Sequence, residues 1–117
     1  MSAAVPPDVQ AYLDGIAPEH RPMWDRVEGL VRSIHPEVEL RITYDMPTFV
    51  VGDRRLPVGV WKHGLSLYGL HGSNDAGFIA RHPDLSSGRG TVKLPTARAD
   101  EFTDDELRET LTAVLGP

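Results

Sequence analysis

The hydrophobic residues near the start of the chain recur with the period of an α-helix. Positions i, i+3, i+4 and i+7 of a first stripe are occupied by Val9, Tyr12, Leu13 and Ile16. A second stripe with the same period comprises Met23, Val27, Leu30, Val31 and Ile34. Asp8 is a suitable N-cap for the first helix, and Pro36 disfavours helical geometry at His35, where the second stripe ends. The pattern predicts helices over residues 8–16 and 20–34.

From residue 38 the hydrophobic period changes from about 3.6 to 2, which is typical of a strand with one buried face. This alternation predicts a strand over 38–44, and its core side consists of Val38, Leu40 and Ile42. Short apolar, β-branched and aromatic runs follow over 48–51, 56–61 and 65–70. Turn residues separate these runs at close spacing, so antiparallel hairpins are predicted.

After residue 70 helix and strand signals are mixed. A short helix through Phe78 and Ile79 is predicted to end before Pro83, and the residues suited to capping it are Ser73, Asn74 and Asp75. A flexible loop over 86–90 and a fifth strand over 91–94 follow. The chain is therefore predicted to return to the sheet at residues 91–94 after one short helix.

The last helix has the clearest start and stop signals. Thr103 and Glu106 form a Ser/Thr-x-x-Glu capping box, and Gly116 stands where a C-terminal cap is expected. The resulting order, α-α-β-β-β-β-α-β-α, predicts an α+β fold with a mainly antiparallel sheet of about five strands and helices packed on one face. For 117 residues we expect one domain, over 8–117, behind a disordered tail over 1–7.

Charge and composition narrow the function classes. The chain has 12 Lys and Arg against 17 Asp and Glu, a net charge of −5, and a pI of about 5.4. Nucleic-acid binding needs a clustered excess of basic residues, so no nucleic-acid partner is expected. The absence of cysteine excludes disulfides and Cys nucleophiles. Without a leader-like or long apolar run, a cytoplasmic protein with no membrane contact is expected.

Strand alternation also assigns the sheet face that turns away from the helices. Counting by twos from the core positions, this face carries Arg41, Thr43, Trp61, Ser66, Tyr68, Thr91 and Lys93. Aromatic and cationic residues that the core does not need indicate a surface that a ligand or another chain covers. The alternative is that Trp61 and Tyr68 pack under loops such as 83–90.

One segment resembles a known family. The residues Tyr44 to Phe49 read Y-x-M-P-x-F, hairpins follow, and Gly90 to Pro95 read Gly-Thr-Val-Lys-Leu-Pro. In this order the motifs resemble the YdhG-like family of small bacterial domains of unknown function. The resemblance implies helices against an antiparallel sheet, and the frataxin-like iron-chaperone label of some members implies iron binding. Where members often carry Lys before the late glycine, this chain has Arg89, which keeps the charge.

Candidate chemistry at single residues is sparse. The five histidines form no H-E-x-x-H motif, and Ser66 does not stand in a G-x-S-x-G elbow. Convergence of His63, His71 and His82 on a metal would be one functional interpretation. The acidic cluster over 100–109 suits hard cations such as iron, but first-turn carboxylates are also explained by the helix dipole. No acid/base pair is evident, so no catalytic residue and no cofactor are predicted, and the sequence leaves enzymatic activity open without supporting it.

Three hypotheses from different classes follow. The first is a binding domain for a small anionic molecule on the open sheet face. The second is a frataxin-like iron-handling protein, and the third is a homodimerisation or protein-interaction module. For the first hypothesis, the predicted ligand-binding residues are Arg41, Tyr44, Met46, Trp61, Tyr68, Arg89 and Lys93.

Overall fold

A computed structural model describes residues 5–71, 73–87 and 90–117. The helices in these ranges are α1 (Pro7–Asp14), α2 (Arg21–Ile34), α3 (Phe78–Arg81) and α4 (Asp104–Leu115). The strands are β1 (Glu39–Thr43), β2 (Met46–Val51), β3 (Arg54–Trp61), β4 (Gly64–Tyr68), β5 (Ser86–Ser87) and β6 (Thr91–Pro95). Short 3₁₀ helices cover Pro83–Leu85 and Thr96–Glu101. Residues 1–4 of the predicted tail lie outside these ranges.

The strands form one antiparallel sheet in the order β1-β2-β3-β4-β6-β5. The α+β class is therefore confirmed. The predicted number of five strands is wrong by one, because Ser86 and Ser87, predicted as loop, pair with Val92 and Thr91 of β6. Two serines carry no hydrophobic alternation, and their strand geometry comes from the neighbouring strand.

The helices cover one face of the sheet, as predicted. Every second strand residue faces them and joins their buried stripes in a single core, and examples from five strands are Leu40, Phe49, Leu56, Leu65 and Val92. At its centre the ring of Trp24, on α2, stacks on Phe49 with 5.5 Å between ring centroids. Removal of an aromatic side chain of this kind costs about 3–5 kcal/mol of folding free energy.

The hairpin between β1 and β2 differs from the prediction. Tyr44, predicted as the last residue of the first strand, and Asp45 form a two-residue loop with φ of +53° and +62°. Two positive φ values are the signature of a type I′ turn, which matches the twist of the strands that it joins. Met46 and Pro47, which fall between the predicted strands over 38–44 and 48–51, are instead the first residues of β2. The sequence signal failed because Tyr-Asp replaces the Asn-Gly typical of this turn.

The strand β3 is shared between two neighbours. Its first half pairs with β2 as far as Pro57, and its second half pairs with β4 from Val58 onward. Beyond the end of the β2 ladder, the Val60 N–H donates to the Tyr12 hydroxyl of α1 at 2.9 Å. β4 was predicted to reach residue 70 but ends at Tyr68, because Gly69 has a φ of +84°.

The start of α4 confirms half of the predicted capping box. The Glu106 N–H donates to Thr103 Oγ1 at 3.1 Å. The reciprocal bond is replaced, because the Glu106 carboxylate accepts from Arg81 Nε at 2.5 Å and from His82 Nε2 at 3.0 Å. Burial raises the pKa of the Glu106 carboxyl, but these two hydrogen bonds outweigh burial and hold the pKa below its usual range.

Candidate functional site

The strand register places the predicted open-face residues on one side of the sheet. Ser66 pairs with Gly59 on one side and with Lys93 on the other, and Trp61 pairs with Gly64. Because cross-strand partners point to the same face, Trp61 and Lys93 share the side opposite the helices. The assignment of these residues to one face is confirmed.

Trp61 is held in place from three directions. The Lys93 Nζ lies 4.3 Å from the centroid of the Trp61 ring, a cation–π contact. The Trp61 Nε1 donates to the Leu65 carbonyl oxygen at 3.1 Å, and the His63 ring approaches edge-on with centroids 5.0 Å apart. The indole is therefore a fixed wall of the open face.

Two small residues, Gly59 and Ser66, form the centre of this face, and we call them the Gly59–Ser66 floor. A Cβ on Gly59 would lie 3.4 Å from Tyr68 Cε2 and 3.7 Å from Met46 Sδ. A glycine inside a strand often marks a close approach of this type. Its absent side chain lets Tyr68 and Met46 lean across the floor, opposite the wall made by Trp61.

The floor is surrounded by hydrogen-bond donors that the described residues leave unpartnered. The Ser66 side chain is only 4% exposed, and its hydroxyl has no hydrogen-bond partner in residues 5–71, 73–87 and 90–117. Within the same ranges the Tyr68 hydroxyl has none, and no carboxylate forms a salt bridge with Lys93. Donors without internal acceptors favour a ligand that brings acceptor oxygens.

The other predicted ligand-binding residues lie elsewhere. Arg41 is on β1, four strands from Lys93 in the sheet order, and it donates to the Glu39 carboxylate, with Nη2 at 2.8 Å from Oε2. Tyr44 stands at the hairpin tip and is 85% exposed. Arg89 lies outside the described residues. The structure therefore brings together Met46, Trp61, Tyr68 and Lys93.

Two concavities lie near the sheet, and neither includes Gly59 or Ser66 in its lining. A groove of about 720 Å³ lies beside β1, where the chain passes from α2 into the sheet, and its lining includes Pro36, Val38 and Val50. A hollow of about 570 Å³ lies behind Trp61 and includes His20 and Thr96. The floor itself is shallow and is partly covered by Tyr68 and Met46.

His20, at the start of α2, is a polar residue whose position sequence reasoning missed. Its Nε2 lies 3.0 Å from the Lys62 carbonyl oxygen, and its Nδ1 lies 2.6 Å from Thr96 Oγ1. A carbonyl only accepts, so Nε2 donates to it, and Nδ1 is hydrogen-bonded to a hydroxyl that can either donate or accept. His20 is buried, and it ties α2 to the β3–β4 turn and to the segment after β6. Nothing distinguishes it in the sequence from a solvated loop histidine.

Most carboxylates of the acidic cluster over 100–109 form ion pairs, and Glu109 forms none with the described residues. Asp104 lies 2.5 Å from Arg26, and Asp105 lies 3.0 Å from Arg108. Hydrogen bonds from Arg98 lower the pKa of both Asp84 and Glu101. Within the part of the chain that the structure describes, no group of three or more His, Asp or Glu side chains could hold a metal ion.

The three histidines considered as metal ligands are separated. His63 contacts Trp61, and His71 lies against Gly90. His82 stands between the ring of Phe78 and the carboxylate of Glu106. Each therefore has its own structural surroundings, and none shares a site with another.

No family model, curated protein or solved structure matches the chain. Among the described residues, no helix combines the length and the apolar character needed to span a bilayer.

Proposed function

We propose that the chain is a binding domain for a small anionic molecule, and that this molecule lies on the Gly59–Ser66 floor. The observation that carries the proposal is the placement of Lys93. Its ammonium lies over the Trp61 ring, on the strand next to Ser66, and it forms no salt bridge with a carboxylate of the described residues. A lysine so placed is available to an anion.

The surrounding groups fit a ligand with a flat apolar part and a carboxylate or phosphate. Trp61, Tyr68 and Met46 supply apolar walls, and the Ser66 and Tyr68 hydroxyls supply neutral donors. Few polar groups among apolar walls are typical of small-molecule sites. The net charge of −5 does not oppose this, because local potential at a surface decides which ion it attracts.

The test uses benzoate and inorganic phosphate as probes and benzamide as the neutral analogue of benzoate. Binding is followed by the backbone amide resonances of Ser66 and Lys93 in a titration. We expect benzoate or phosphate to shift them saturably and benzamide to bind at least about tenfold more weakly, a difference of about 1.4 kcal/mol. The variant Lys93→Met should lose the anion preference.

A matched control removes a different lysine. Lys62 stands in the exposed turn between β3 and β4, so Lys62→Met changes the net charge equally without touching the floor. The proposal is contradicted if neither anion shifts these resonances, or if Lys62→Met weakens anion binding as much as Lys93→Met does.

A further inference from the structure

The strand β1 is one end of the sheet, and half of its backbone has no strand partner. The two-residue loop is closed by the pair Thr43 and Met46. In such a hairpin the closing pair is hydrogen-bonded, and the pairs alternate from there. Thr43, Arg41 and Glu39 therefore direct their backbone groups to β2. Leu40 and Ile42 direct theirs outward, where no described residue bonds them.

We propose that a second copy of this chain pairs with this edge, strand β1 against strand β1, antiparallel, with Leu40 opposite Leu40. Two such edges hydrogen-bond when residues whose backbone groups point away from β2 face each other. With Leu40 and Ile42 at the centre of the strand pair, this condition allows three registers. Leu40 opposite Ile42 places Arg41 against Arg41. Ile42 opposite Ile42 places Glu39 against Asp45. Only Leu40 opposite Leu40 places each Arg41 against the Glu39 of the second copy.

Charge complementarity thus selects one register among the three. Cross-strand side chains of opposite charge stabilise an antiparallel pair, whereas like charges directly opposite destabilise it. Within one copy, Arg41 and Glu39 lie two residues apart on the same strand and already form an ion pair. Each copy of the dimer gives up this internal pair, and two Arg41–Glu39 pairs between the copies replace them.

The same register brings the exposed aromatic residue Tyr44 toward the groove beside β1. It brings Tyr44 of the second copy next to Pro36, which lines the groove of about 720 Å³ together with Ile34, Val38 and Val50. Tyr44 is 85% exposed and has a φ of +53°, a conformation that costs a bulky residue free energy. The groove has a mixed lining, in which apolar side chains stand beside Glu37, Glu39 and Arg41. A strained and exposed tyrosine, with an apolar ring and a polar hydroxyl, suits such a groove as an interface anchor. A two-fold axis repeats this contact at both ends of the strand pair.

The decisive experiment mixes two charge variants and measures their association by sedimentation over a concentration series. In Glu39→Arg each copy carries two arginines on β1, and in Arg41→Glu each carries two glutamates. In a dimer of either variant alone, like charges face each other at two positions. We therefore expect its self-association to be at least about tenfold weaker than that of the unaltered chain. An equimolar mixture restores complementary pairs, so we expect dimers to return.

Restoration cannot come from the fold of one copy, because neither variant retains the internal ion pair between positions 39 and 41. A matched control is Arg55→Glu, which reverses a charge on the same sheet face but on β3, and it should leave self-association unchanged. Three results would overturn the proposal: an unaltered chain that stays monomeric at all concentrations, a mixture that does not dimerise, or an Arg55→Glu variant as weak as the β1 variants.

A second variant tests the anchor separately. Asparagine adopts positive φ more readily than tyrosine, so Tyr44→Asn should raise the melting temperature of the monomer. It should also weaken the dimer, because the groove loses its occupant. These opposite signs distinguish a contact between copies from a structural role within one copy, and an unchanged dimer would overturn the placement of Tyr44.

Discussion

Trp24 and Trp61 lie on opposite sides of the sheet and differ in what surrounds them. Trp24 is fully buried between α2 and β2, stacks on Phe49, and donates its Nε1 proton to Glu28 at 2.8 Å. Trp61 is half-buried, and its contacts are the Lys93 ammonium and the edge of His63. One indole belongs to the core, whereas the other keeps part of its surface open to solution.

The difference shows that Trp61, which lies outside the core, is held by polar neighbours rather than by close packing. Trp24 gains stability chiefly from removing a large apolar surface from water. Trp61 gains less from burial, and a cation–π contact contributes only about 0.5–1 kcal/mol at an exposed site. Substitutions around Trp61 are therefore expected to cost less folding free energy than substitutions around Trp24.

The largest expected effect is the loss of stability in Trp24→Ala. Removing a buried tryptophan leaves a cavity, so the free energy of unfolding should fall by about 3–5 kcal/mol. The equivalent change on the other side of the sheet, Trp61→Ala, should cost less than about 2 kcal/mol. Urea unfolding followed by circular dichroism measures both, and equal losses would break the comparison.

The two sides were also unequally predictable from the sequence. Period-2 alternation was sufficient to assign Trp61, Tyr68 and Lys93 to one face, because a strand alternates whatever its neighbours are. The helical stripe of residues 20–34 was identified without Trp24, although Trp24 stands three residues before Val27 and seven before Val31. Those spacings were the signal for its burial.

The sequence did not reveal which residue each charged side chain contacts. Arg41 and Lys93 are both cations on the predicted open face, yet Arg41 is paired with Glu39 and Lys93 lies on an indole. Alternation gives the side of the sheet, whereas the ion pair depends on the rotamers that two side chains of the same strand adopt. The Gly59–Ser66 floor could have been inferred, because a glycine inside a predicted strand marks a close approach.

The helix side also contains a polar cluster formed by Glu106, Arg81 and His82. Its contribution to the free energy of unfolding should depend on pH. Glu106→Gln removes the carboxylate that accepts from Arg81 and His82, so stability at pH 7 should fall by on the order of 1 kcal/mol. The folded pKa of Glu106 is lowered. Its contribution is therefore fully present above the ordinary carboxyl pKa of about 4.3 and is lost as the pH falls through the lower folded pKa.

The measurement is the free energy of unfolding of both proteins as a function of pH, and the two curves should converge in acid. Glu109 offers the control, since it is exposed on the same helix and has no salt bridge within the described ranges. Glu109→Gln should follow the unaltered protein at every pH. A constant difference between Glu106→Gln and the unaltered protein down to acid pH would contradict the assigned role of the carboxylate.

The smallest expected effect on stability belongs to Lys93→Met, and it sharpens the contrast between the two indoles. Methionine keeps an unbranched apolar stem over Trp61 but removes the ammonium, so the free energy of unfolding should change by less than about 1 kcal/mol. The chain has two tryptophans and therefore two indole N–H resonances. That of Trp61 should shift in Lys93→Met, and that of Trp24, across the sheet, should not. Lys62→Met should move neither resonance. A shift of the Trp24 signal, or a loss of stability comparable to that of Trp24→Ala, would mean that Lys93 supports the core rather than an open surface.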